Sequence, residues 1–146
     1  MEISIRKAVS SDGRRISDLL LQLLRRKIEA TTPQTLNTIF QQMLQQPNTT
    51  FFVAEYEGNI VGFLSLTIQY KLSELGKIAI IEELIVDDRQ RSHGVGALLV
   101  KAAEQEAIAN HCTHYEVCSH GARERAHKFY ETHGFEKTGF RFGQNL

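Results

Sequence analysis

One stretch of this chain restricts its fold more than any other. Residues 78–86 read IAIIEELIV, an apolar and β-branched run broken only by Glu82 and Glu83. A polar loop from Asp87 to His93 follows, and Gly94-Val95-Gly96 then opens a segment with Leu98, Leu99, Ala102, Ala103 and Ala107 at helical spacing. Strand, loop and glycine-marked helix start, in that order, call for a sheet with a helix laid on it. The amino end of such a helix carries unpaired N–H groups and the positive end of the helix dipole, so it suits anions and phosphates above all. Gly94 and Gly96 let the main chain come close to a ligand. Arg91, just upstream, adds a charge-assisted donor. A glycine pair alone is equally what a plain tight turn uses.

The rest of the chain supplies the sheet and its other helices. Glu2–Val9 alternates and reads as a half-buried first strand. Ser10-Ser11-Asp12 offers cap oxygens to a helix whose stripe is Ile16, Leu19, Leu20, Leu23 and Leu24. Thr32-Pro33 opens a second helix, with Leu36, Ile39, Phe40, Met43 and Leu44 inward and Pro47-Asn48 at its close. Phe51–Tyr56 and Ile60–Tyr70 flank Glu57-Gly58-Asn59 as a hairpin, three turn residues leaving its type open. After the central stretch come a strand at Thr113–Ser119, a helix at Arg123–Thr132 stopped by His133-Gly134, and an alternating tail, Phe135–Phe142, that reads as a last strand or a pair of short ones. The expected order is β-α-α-β-β-β-α-β-α-β, a mixed α/β domain around one sheet. Its middle meander means that the sheet is not all parallel.

A length of 146 residues fits one domain, 1–146, and 17 Lys+Arg balance 17 Asp+Glu. Net neutrality argues against a chain whose main work is gripping nucleic acid. No apolar run approaches the length of a membrane span, and the amino terminus MEISIRKAV lacks the apolar core of a signal peptide, so a cytoplasmic location is expected. Cys112 and Cys118 form no Cys-x-x-Cys pair, and the six histidines show no ligand spacing, so no metal is expected. The dinucleotide fingerprint fails as well. Its third small residue would fall on Leu99, and seven residues separate Val86 from Gly94 where that motif needs glycine at the strand end. No Gly-Lys-Ser/Thr of a nucleoside triphosphate loop is present.

Arg91-Ser92-His93-Gly94-Val95-Gly96 resembles the Arg/Gln-x-x-Gly-x-Gly/Ala signature of the GCN5-related N-acetyltransferases. Ala126-His127-Lys128-Phe129-Tyr130-Glu131 with Gly134-Phe135 resembles a second region of that family. The two occur in the family's order and on the expected elements, and the resemblance spans the whole chain. IEELIV, AHKFYE and FRF look most like aminoalkylphosphonate and other small-amine acetyltransferases. Ser92 and Asp88 depart from the glycine and proline that members often carry there.

The resemblance implies a sheet with splayed fourth and fifth strands that admit acetyl-coenzyme A. The amides of Arg91, Ser92, His93, Gly94, Val95, Gly96 and Ala97 would cradle the pyrophosphate. The main chain of Leu84, Ile85 and Val86 would pair with pantetheine, and Ser119 and Arg123 would lie along the cosubstrate's path. Tyr130 matches the family's general acid. An alkylammonium of pKa roughly 10.4 needs a base before it can attack. Glu82 and Glu83, as strand neighbours, point to opposite faces unless a bulge intervenes. In family members with the same spacing from the motif arginine the cleft-facing position falls on Glu82, which the resemblance therefore makes the first choice, while the aminoalkylphosphonate branch carries its glutamate at the Glu83 position. A small-molecule amine is the expected partner. A protein lysine or α-amine acetyltransferase, or a non-catalytic module that binds acyl-coenzyme A, are the alternatives. A homodimer through the carboxy-terminal strands is a further implication of the resemblance.

Overall fold

The computed structural model describes residues 2–23, 32–91, 93–118 and 124–146. Strand β1 (Ile3–Lys7) leads through a 3-10 turn at Ser10–Asp12 into α1 (Gly13–Leu23). Then come α2 (Pro33–Met43), β2 (Thr49–Tyr56), β3 (Asn59–Lys71), β4 (Gly76–Val86), α3 (Val95–Ala109), β5 (His114–Val117) and α4 (Glu124–Thr132). The five strands lie in the order β1-β2-β3-β4-β5. All neighbours are antiparallel except β4 and β5, which run parallel. This is the mixed α/β domain that the element order calls for.

Local chemistry accounts for the elements. Thr32 Oγ1 accepts the Thr35 amide and Pro33 takes the first helical position, so α2 starts where a cap and a preset φ coincide. In the β2–β3 hairpin Tyr56 pairs directly with Asn59, leaving a two-residue turn of Glu57 (φ 50°) and Gly58 (φ 78°). Two positive φ values make it the primed type that matches strand twist, one residue shorter than the sequence suggested.

Each sheet face carries its own core. On one, Phe52, Ala54, Val61, Leu64, Leu66, Ala79 and Ile81 pack under Val95, Leu99, Val100 and Ala103 of α3. On the other, Phe51, Val53, Ile60, Phe63 and Ile85 meet Ile16, Leu19 and Leu20 of α1 and Phe40 of α2. The inward stripe of α3 runs through Val95, Leu99, Ala103 and Ala107, while Leu98 is exposed. Leu24, expected on the stripe of the first helix, lies outside the described residues.

Two β-bulges break the alternation. In β3, Ala54 pairs with Gly62 and Glu55 with Ile60, so Val61 is the extra residue. In β4, Ser65 pairs with Glu83 and Leu66 with Ile81, so Glu82 is the extra residue.

The tail corrects one expectation. Residues 135–146 form no strand, and from Glu136 onward every residue is exposed, Phe140 and Phe142 included. Alternation there has no buried face to serve. Phe135, packed edge-on against Tyr115, is the last residue tied to the core.

Candidate active site

The site begins where two parallel strands part. Residues Ile78–Ile81 of β4 pair with His114–Val117 of β5, and the last contact is the Cys118 amide on the Ile81 carbonyl at 3.5 Å. Beyond it, Glu83–Val86 are laddered to β3 alone among the described residues. One edge of β4 therefore presents free main-chain donors and acceptors over Leu84, Ile85 and Val86, the kind of edge an extended amide-bearing ligand can augment.

That edge runs into the loop before α3. Asp87, 3% exposed, anchors the loop. Its amide donates to the Val61 carbonyl at 2.9 Å, and its Oδ1 accepts the Arg89 amide at 3.0 Å to cap the turn Asp88–Gln90. Its Oδ2 accepts from Arg15 Nη2 of α1 at 2.6 Å. Burial works against the charged carboxylate, but the Arg89 amide and the Arg15 guanidinium outweigh it and hold the group below the usual carboxylate range. Arg91 is half-exposed and paired to Asp88 at 2.8 Å.

Gly94 is the N-cap of α3, left-handed at φ 81°, and among the described residues no side chain caps the helix there. Space around it is open, since a Cβ would meet nothing within 4 Å. The first amides of a fifteen-residue helix thus face outward beside Arg91, with His93 and Gly94 exposed and Val95 buried as the anchor. Gly96 also has a packing role. A Cβ there would stand 3.1 Å from Phe129 Cζ and 3.8 Å from Val86 Cγ2, so its absence lets α4 close on the first turn of α3. Ala97 follows on that turn, partly buried. Ser92, Ser119 and Arg123 lie outside the described residues.

The glutamates come together instead of dividing. Ser65 Oγ donates to Glu83 Oε1 at 2.9 Å, and Thr67 Oγ1 donates to Glu82 Oε1 at 3.0 Å. Ser65 and Thr67 alternate with Leu64 and Leu66, which belong to the α3-side core, so both carboxylates sit on the opposite face. The bulge at Glu82 is the physical reason, because an extra residue cancels the alternation. Glu82 is exposed and Glu83 half-buried.

Tyr130, 8% exposed, is fixed from both sides on α4. Its ring meets Phe129 at 5.5 Å and Phe135 at 6.0 Å, both edge-on. The Gly134 amide donates to the Glu131 carbonyl, and the Phe135 amide returns to the Tyr130 carbonyl at 3.0 Å, a Schellman stop with Gly134 at φ 92°. Phe129, in turn, touches Gly96, so α4 brings Tyr130 to the end of the sheet where α3 begins. Tyr115 is committed elsewhere. Its hydroxyl donates to the Val100 carbonyl at 2.9 Å, and burial pushes its ionisation well above the phenolic range.

Residues that the motifs did not single out do much of the positioning. Gly62 lies beneath Val95 and Leu99, where a Cβ would come within 2.7 Å and 3.0 Å of their methyl carbons, so it seats α3 on the sheet. Arg15, Asp87, Ser65 and Thr67 carry no spacing signal. Only the side-chain partners found across the fold identify them.

Comparison with known proteins finds relatives of this chain by sequence and by fold. A family model described as acetyltransferase (GNAT) family matches residues 17–135. The aminoalkylphosphonate N-acetyltransferase of Salmonella typhimurium is 30% identical over 142 residues, covering 97% of this chain and 90% of that protein. A transcriptional regulator from Bacillus halodurans C-125 superposes with a TM-score of 0.90 at 26% identity, over 99% of this chain and 100% of the other. The aminoglycoside N-acetyltransferase AAC(6')-Iy, solved in complex with CoA, shares the fold with a TM-score of 0.86 at 18% identity, over 99% and 95% of the two chains.

Proposed function

Since the chain belongs to the acetyltransferase (GNAT) family and is an N-acetyltransferase, we propose that it moves the acetyl group of acetyl-coenzyme A to a primary amine of a small molecule. The amine attacks directly while both substrates are bound. The observation that carries this reading is the unpaired edge of β4 leading straight to the uncapped, arginine-flanked start of α3. That arrangement fits a ligand with an amide-bearing arm and a pyrophosphate at one end.

In this reading the edge at Leu84, Ile85 and Val86 pairs with the pantetheine amides, and one of its N–H groups polarises the thioester carbonyl. The amides from Arg91 through Ala97 and the Arg91 guanidinium hold the pyrophosphate. Ser119 and Arg123 keep their proposed place along the cosubstrate. The exposed Glu82 draws in the ammonium. The half-buried Glu83, next to the Leu84–Val86 edge, takes its proton through water, so geometry favours it as base over the Glu82 that the family resemblance put first. The amine nitrogen then bonds to the carbonyl carbon and loses its second proton to solvent as the C–S bond breaks. Tyr130 gives its hydroxyl proton to the departing thiolate and regains one from solvent.

Aminoalkylphosphonates are the first substrates to test, on the strength of the 30% identity with an enzyme named for them. Release of free thiol from acetyl-coenzyme A is followed over aminoalkylphosphonates, polyamines, amino acids and aminoglycosides. Turnover on one of these classes supports the proposal. Coenzyme A binding with no turnover on any amine or peptide overturns it in favour of a binding module.

A further inference from the structure

We propose that Arg15 is a positioning residue for the cosubstrate-binding turn, acting through Asp87 although neither side chain belongs to the binding surface. The inference rests on the reading of that turn as the acetyl-coenzyme A site. Arg15 projects from the second residue pair of α1 and spans two elements. Its Nε donates to the Ile60 carbonyl of the β2–β3 hairpin at 3.0 Å, and its Nη2 donates to Asp87 Oδ2 at 2.6 Å.

Asp87 is the hub from which the turn is built. Besides the capped Arg89 amide, its own carbonyl accepts the Gln90 amide at 2.8 Å, and its own amide is spent on Val61. The next residue is tied to the same helix, since the Asp88 amide donates to Gln22 Oε1 at 3.3 Å. Asp88 then holds Arg91. An unbroken series of contacts thus runs from α1 through Asp87 and Asp88 to Arg91, the guanidinium assigned to the pyrophosphate.

Charge gives the pair a second effect. A carboxylate 3% exposed at the mouth of an anion site repels the anion unless it is neutralised. Arg15 reaches Asp87 from the α1 side of the sheet, so the negative charge is cancelled without a cation from the turn being used up. Arg89, the other cation near Asp87, contacts it at 3.5 Å and is 83% exposed. Its attraction is therefore largely screened.

The test is a double-mutant cycle on the full chain, read as the Kd of coenzyme A by calorimetry beside the thermal midpoint of each variant. Arg15→Met should raise Kd by roughly tenfold or more, since it removes charged hydrogen bonds and leaves Asp87 uncompensated. Asp87→Asn alone keeps an acceptor for the Arg89 amide and should cost less. In the double variant, affinity should recover toward the Asp87→Asn value, because the stranded negative charge is gone. Arg15→Lys, which can keep the charge and one of the two contacts, should bind better than Arg15→Met. In turnover, the effect should fall on the acetyl-coenzyme A KM with kcat at saturation preserved. A wild-type chain that does not bind coenzyme A overturns the site reading itself. A binding wild type with all four variants within twofold of it overturns the positioning role. Losses that add in the double variant mean that the two residues act independently and overturn it, and a Kd that merely follows the thermal midpoint overturns it in favour of a purely structural ion pair.

Discussion

Gly62 offers the sharpest test of how α3 is seated. Replacing it by alanine puts a methyl 2.7 Å from Val95 Cγ1 and 3.0 Å from Leu99 Cδ1, where carbon atoms need about 3.5–4.0 Å. Neither neighbour can yield easily. Val95 is β-branched and 1% exposed, and Leu99 is fully buried. The first turn of α3 must therefore lift from the sheet. Overpacking of this kind costs about 1–3 kcal/mol, and the lower chain entropy of alanine returns roughly 0.4–1 kcal/mol. A net loss of about 1–2 kcal/mol lowers the thermal midpoint by roughly 2–8 °C in a chain of this size. Coenzyme A affinity should fall as well, because the displaced turn carries the amides assigned to the pyrophosphate. Calorimetry on the same sample reads both quantities. Gly58→Ala is the control: its site is spacious but left-handed at φ 78°, so it should destabilise without touching affinity. A Gly62→Ala chain with an unchanged midpoint and unchanged affinity would refute the reasoning.

Three other outcomes are expected. Tyr130→Phe should lower kcat at neutral pH by tenfold or more while coenzyme A affinity stays near wild type; an unchanged rate removes Tyr130 as the acid. Glu83→Gln should depress kcat, whereas Glu82→Gln should act mainly on the KM of the amine, and the reverse split in steady-state kinetics would exchange the two roles. Asp12 and Asp87 both ionise below the usual carboxylate value of 3.8, Asp12 chiefly through its hydrogen bonds from Arg6 and Asp87 against its burial. A depressed folded-state value gives stability that is complete above the ordinary carboxylate pKa and is lost as pH falls through the folded one. Unfolding free energy should therefore hold down to about pH 5 and decline below that, less steeply in Asp87→Asn; an equal decline in that variant would refute the assignment.

Much of the fold could be read in advance, for physical reasons. The strands of the middle meander declare themselves because both sheet faces are covered, so Phe51–Ala54 and Phe63, Leu64 and Leu66 must all be apolar. Thr32-Pro33 and His133-Gly134 mark helix ends by their own backbone chemistry. The turn before α3 was legible through Arg91, Gly94 and Gly96 together. What the residues did not disclose are matters of count and partnership. An extra residue at Val61 or Glu82 leaves no trace in composition, yet each reverses the faces that follow. The Arg15–Asp87 bond joins positions 72 apart in the chain, with nothing local to announce it. The tail alternates through Phe140 and Phe142 as a strand would, but alternation makes a strand only where a neighbour accepts its hydrogen bonds.

The bulge at Glu82 behaves as a frameshift within the sheet. Side chains on a strand are read with a period of two, and the inserted residue changes the phase for everything downstream. Ile81 and Leu84 thereby fall on one side, although three positions apart, and Ile85 falls on the other. Removing that single residue would restore an unbroken ladder and leave the composition of the strand almost untouched. Leu84 and Val86 would stay against α3 and Ile85 on the other side, because the residue taken out is the extra one, and one of the two carboxylates would vanish. What would exchange the two sides of the strand is a straight ladder that keeps Glu82 in register, so the extra residue is what lets two adjacent carboxylates share one face while the apolar pattern beyond them stays in place.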